Sequence, residues 1–72
     1  MQVQHQSEIE LEKQFKKYET ISNLFHEWER LPDWRLGQLI INFIGWYGDI
    51  FYLTEEDFIK QLNKYINMCK GE

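Results

Sequence analysis

The residues able to do chemistry are few and scattered. The chain holds two histidines, His5 and His26, and one cysteine, Cys69. A structural metal centre needs about four Cys, His or acidic donors at short spacing. No second histidine or cysteine stands near either histidine. Ser7 and Ser22 lack an activating neighbour in sequence, and no glycine-rich loop is present to cradle a phosphate. Acid, base and nucleophile cannot be assembled into one set. The expectation is a non-enzyme with no catalytic, cofactor-binding or metal-ligating residue and no small-molecule substrate. Cys69 falls on an apolar stripe and reads as a small core residue. Glu8, Glu10, Glu12, Glu19, Glu27 and Glu29 read mainly as a solvated face, with Glu12 and Lys16 at the spacing of an i,i+4 ion pair.

Recognition is better supplied than catalysis. In the run Trp34-Arg35-Leu36-Gly37-Gln38-Leu39-Ile40-Ile41-Asn42, three faces separate at about 100° per residue. Leu36, Leu39, Ile40, Phe43, Ile44, Trp46 and Tyr47 fill an arc of roughly 160°. Arg35, Gln38 and Asn42 stack beside it. Gly37, Ile41 and Gly45 line much of the rest. A helix apolar over most of its circumference must be covered over most of it, so a second copy or another protein is implied. The glycine face reads either as helix-end effects or as a seam that admits another helix around Ile41. The polar stripe reads either as caps for loop carbonyls or as recognition of a partner's backbone or carboxylate, to which Arg35 offers a bidentate fork. Trp46, Tyr47, Phe51 and Tyr52 form an aromatic connector that plugs the end of a small core or displays an interface patch. Asp49 beside Gly48 reads as a turn former. The partner-binding candidates are Trp28, Trp34, Arg35, Gln38, Ile41, Asn42, Trp46 and Tyr52.

These faces have to be positioned by helices. Leu11, Tyr18 and Phe25 recur every seven residues, with Ile21 and Trp28 at the companion positions, Phe15 and Leu24 widening the stripe and Gln14 interrupting it. That spacing predicts a long first helix, about 8–30, with a short coiled-coil-like seam. Ser7 with Glu10 has capping-box spacing, which leaves residues 1–6 as a frayed end. Pro32 ends the helix and Asp33 is a good N-cap for the next, about 34–46. Residues 50–53 read as a short extended segment of strand-like character. Thr54 caps a third helix, about 54–69, with Glu55, Glu56 and Asp57 in its first turn and Leu53 and Phe58 at the positions of a hydrophobic staple. Phe58, Ile59, Leu62, Tyr65, Ile66 and Cys69 form its inner stripe, with Lys60, Asn63, Lys64 and Asn67 facing away. The predicted fold is all-α, a single three-helix domain over residues 1–72 with the second helix central.

Composition bounds the function. Seventy-two residues bury only about 60% of their unfolded surface, so the core is marginal and self-association is a common remedy. Aromatic residues make up 17% of the chain, which supplies bulky anchors. The net charge of −4 disfavours nucleic acid as the main partner. A lone cysteine fits a reducing compartment, the polar first twenty residues carry no signal-peptide pattern, and no apolar run would span a bilayer. The expected location is the cytoplasm, with no membrane partner.

The stretch 32–53 resembles a group of small bacterial and phage-encoded helical proteins. Their shared pattern is Arg-x-Gly-Gln-Leu with a downstream Asn, then Asp-x-Phe-Tyr before an acidic helix start. Here those residues are Arg35, Gly37, Gln38, Leu39 and Asn42, then Asp49, Phe51 and Tyr52, followed by Glu55, Glu56 and Asp57. The resemblance implies a bacterial or phage setting and an accessory role. It transfers no activity and no site. The favoured expectation is a protein-interaction module that self-associates or serves as a subunit of a larger assembly. The alternative is a phage-type acidic inhibitor whose first helix, through Glu12, Glu19 and Glu27, occupies a basic groove on a host defence or nucleic-acid-processing enzyme.

Overall fold

The computed structural model describes residues 2–71, with side chains from Glu10 onward. Three helices follow one another: α1 (Gln2–Trp28), α2 (Leu36–Tyr47) and α3 (Glu55–Cys69). No strand occurs among the described residues. The all-α, three-helix expectation holds. α1 begins earlier than expected, at Gln2, and the Ser7–Glu10 capping box lies outside the residues whose side chains are described. No proline or glycine precedes Pro32, so nothing in that stretch breaks a helix.

Two boundaries differ for local reasons. The N-cap of α2 is Arg35, not Asp33, and its side chain makes no capping bond. Residues 31–34 are instead held in a turn by the Trp34 N–H donating to the Leu31 carbonyl at 3.0 Å. The Trp34 carbonyl is taken at 2.6 Å by the indole N–H of Trp28. With that carbonyl engaged elsewhere, the helical ladder starts one residue later. Residues 50–53 form a turn and not an extended segment. Leu53 N–H donates to the Ile50 carbonyl at 3.1 Å, and Asp49 Oδ1 accepts from Phe51 N–H at 2.9 Å. Asp49 is thus the turn former its position suggested. Gly48 ends α2 at φ 107°, a conformation closed to other residues without strain. Thr54 caps α3 by accepting from Asp57 N–H at 3.1 Å.

The core is small. Leu31, Leu39, Phe43, Leu62, Tyr65 and Ile66 are buried, with Leu24, Trp28, Trp34, Ile50 and Phe58 packed around them. Phe43 sits at its centre, edge-on to Phe58 at 5.2 Å between ring centroids and close to Tyr65, Trp46 and Tyr47. The packing hub is α3, which touches both other helices, and not α2. The reason lies in α3's sequence: its apolar stripe builds the core with α2 and with Leu24 and Trp28 of α1, while its polar side adds hydrogen bonds to the end of α1.

That polar contact replaces the solvent-facing role expected for Asn63 and Asn67. Arg30 Nη1 donates to Glu27 Oε1 at 3.0 Å and Arg30 Nη2 to Asn67 Oδ1 at 2.6 Å. Asn63 Nδ2 donates to Glu27 Oε2 at 2.8 Å, and Asn67 Nδ2 to Asn63 Oδ1 at 3.2 Å. Lys70 Nζ closes the end of the contact on the Arg30 carbonyl at 2.8 Å. Glu27 meeting Asn63 while Arg30 meets Asn67 and Lys70 shows that α1 and α3 run parallel. Cys69 is exposed in the last turn of α3, not part of the core. The Cα radius of gyration is 15.3 Å, against about 11 Å for a compact chain of this length. The excess is α1, whose 27 residues overhang the packed end.

Candidate functional site: an outward apolar seam

The inward side of α1 carries Leu24 and Trp28, packed on the core, and beside them a polar row that meets α3. Thr20, Asn23, Glu27 and Arg30, with Lys16 one turn earlier, lie in an arc of roughly 80° at 100° per residue. Lys16, Glu19, Thr20 and Asn23 share a cleft of about 480 Å³ with Glu55, Glu56 and Ile59 of α3. Lys16 faces that cleft and forms no ion pair with Glu12; the described ion pairs of α1 are Glu27–Arg30 and His26–Glu29. Leu11, Phe15, Tyr18, Ile21 and Phe25 occupy an arc of roughly 120° on the far side. Every one of them is exposed, Tyr18 at 75% and Phe15 at 71%. Helices of globular domains normally turn such a face to the core. Here it looks outward.

The exposed seam has the shape of a helix-docking surface. Gln14, Lys17, Tyr18 and Ile21 frame a groove of about 390 Å³. That is the i, i+3, i+4, i+7 quartet that receives a side-chain knob in a coiled coil. Phe15, Tyr18, Glu19 and Ser22 frame a second, of about 290 Å³, together with Asn23. At the C-terminal end of the seam a cleft of about 240 Å³ is lined by Phe25, Trp28, Leu31, Pro32 and Trp34 among others. The seam residues are absent from the candidates drawn from sequence, although their heptad spacing is the signal that marks them.

The sequence-derived candidates fall into two groups. Trp28 and Trp34 are half-buried at the core's edge, joined by the indole–carbonyl bond, with Trp34 edge-on to Tyr65 at 6.5 Å. Arg35, Gln38, Ile41 and Asn42 lie on the open side of α2. Ile41 is 69% exposed, and a Cβ built at Gly37 or Gly45 would meet nothing within 4 Å, so the glycine face is uncovered. The aromatic connector divides. Trp46 and Tyr47 lean on Phe43 and remain partly open, whereas Phe51 and Tyr52 meet edge-on at 4.8 Å between ring centroids in solvent. Glu27, one of the three carboxylates of the acidic-inhibitor reading, is engaged within the chain by Arg30 and Asn63.

Burial, and then the neighbouring Cys69 thiol, raise the Tyr65 hydroxyl above its ordinary value of 10.0. Among the described residues no three His, Cys, Asp or Glu side chains come together as a metal set, and no helix is long and apolar enough to cross a membrane. A comparison with family models, curated proteins and solved structures finds no match to this chain.

Proposed function

We propose that this chain is a non-enzymatic protein-interaction module that self-associates through the outward seam of α1. The observation that supports it is the second apolar face of α1: Leu24 and Trp28 turn to the core, while Leu11, Phe15, Tyr18, Ile21 and Phe25 turn to solvent. Leu11, Phe15, Tyr18, Ile21 and Phe25 leave on the order of 600 Å² uncovered, taking a bulky side chain at about 150–250 Å². That lies at the upper end of the apolar patches monomers expose, about 300–600 Å². Two copies placed seam to seam bury about 1,200 Å², the lower bound for a specific, stable interface. A second copy therefore supplies enough area without any other partner. The helix quartets that frame the grooves accept a like helix by the same spacing.

Sedimentation equilibrium of the full chain across micromolar concentrations tests the reading. The expected result is a mass of twice 8.9 kDa at tens of micromolar, dissociating on dilution and insensitive to salt. An 8.9 kDa species at every concentration removes the proposal.

A further inference from the structure

We infer that the second copy lies antiparallel to the first, registered so that facing residue numbers on the two α1 helices sum to about 39. This rests on the self-association proposed above and fixes its geometry. In a parallel pair each seam residue meets itself. Tyr18 would meet Tyr18, Phe25 would meet Phe25, and Gln14 would be held against Gln14. Large layers would then alternate with a polar one, and helices packed at about 8–10 Å cannot suit both. Parallel two-stranded pairs favour β-branched residues at one seam position and Leu at the other. Here one position holds Leu11, Tyr18 and Phe25, and its companion holds Gln14, Ile21 and Trp28. The flanking positions give no complementary charges in parallel either, since Glu10 would face Phe15, Lys17 would face Ser22 and Leu24 would face Glu29.

Reversing one helix matches large with small at each level. Tyr18 faces the partner's Ile21, and Phe25 faces the partner's Gln14. Phe15 lies over the partner's Ser22, the small residue of the groove it helps to frame. The partner's Ile21 drops into the quartet of Gln14, Lys17, Tyr18 and Ile21. The partner's Leu11 reaches the Trp28 end, where the cleft of Phe25, Trp28, Leu31, Pro32 and Trp34 is open on the isolated chain. That cleft is completed only by the second copy. Opposed helix dipoles add a small favourable term.

Nitroxide labels read the orientation directly. Glu12→Cys, Glu19→Cys and His26→Cys are made singly in a Cys69→Ser background, all at exposed positions, and helical circular dichroism checks the fold of each. In the antiparallel pair Glu19 sits beside its mate. The Glu12 labels are then offset along the axis by ~22 Å and the His26 labels by ~20 Å, at 1.5 Å per residue. The expected result is a short interspin distance at position 19 and distances longer by ten ångströms or more at 12 and 26. Three equal, short distances overturn the antiparallel geometry and leave self-association standing. No dipolar coupling at any site while the labelled chains sediment as dimers overturns the α1 pairing and leaves self-association standing; a chain that sediments only as a monomer overturns both.

Discussion

Tyr18 separates association from folding more sharply than any other side chain. It is 75% exposed and belongs neither to the core nor to the residues packed against it, so truncating it to alanine leaves the monomer's core intact. In the pair it sits at the seam's centre. The exposed part of the ring is on the order of 150 Å², and covering it at about 25 cal/mol per Å² is worth roughly 3–4 kcal/mol before ordering costs. Immobilising the side chain takes back about 1 kcal/mol or more. About 2 kcal/mol per copy remains, and each dimer contains two copies. Tyr18→Ala is therefore expected to weaken the dimer by about 4 kcal/mol, near a thousandfold in Kd. Sedimentation equilibrium gives the Kd, and urea unfolding well below it gives the monomer's stability, expected to change by less than about 0.5 kcal/mol. Wild-type stability should also rise with protein concentration, and the variant's should not. Unchanged association with a destabilised monomer would refute the reasoning, because it would place Tyr18 inside the chain's own fold.

Three further outcomes follow from the intrachain geometry. Glu27→Ala removes the half-buried carboxylate that accepts from Arg30 Nη1 and Asn63 Nδ2 and should cost about 2 kcal/mol in urea unfolding of the monomer, against no measurable cost for Glu12→Ala. Thr54→Ala removes the acceptor of Asp57 N–H and should cost about 1 kcal/mol by the same measurement. The raised Tyr65 hydroxyl holds its proton more tightly when folded than when unfolded. Its stabilisation is complete below the ordinary value of 10.0 and is lost as pH climbs through the higher folded value. Unfolding midpoints should therefore fall above about pH 10, and less steeply in Tyr65→Phe.

Element type was legible because each helix carries its own signal. A breaker-free run ending at Pro32 gives α1, apolar density gives α2, and Thr54 with three following carboxylates gives α3. What escaped the sequence was which faces meet. The polar stripe of α3 looked solvent-facing because Asn63 and Asn67 are hydrophilic. Their partners, Glu27 and Arg30, stand more than thirty positions away. Periodicity records how a helix is striped but not which stripe turns inward. The same limit hid the seam: the heptad from Leu11 to Trp28 was visible, yet a helix of a small domain is expected to bury its apolar side at home. Conversely, the tryptophans that composition marks as anchors, Trp28 and Trp34, are largely absorbed by the core's edge. The other sequence-derived candidates, Arg35, Gln38, Ile41, Asn42, Trp46 and Tyr52, are exposed, Tyr52 most of all.

The overhang of α1 ties order to abundance. Residues 10–15 are all exposed, and a helix with little tertiary support is marginal in water. Docking a second seam supplies the support that α3 stops short of giving. In the proposed dimer the chain would thereby gauge its own concentration: when it is scarce, the seam from Leu11 to Phe25 would stand open, and when it is plentiful that seam would be held. A partner that reads the paired seam would then respond to how much of this protein is present without binding any signal molecule.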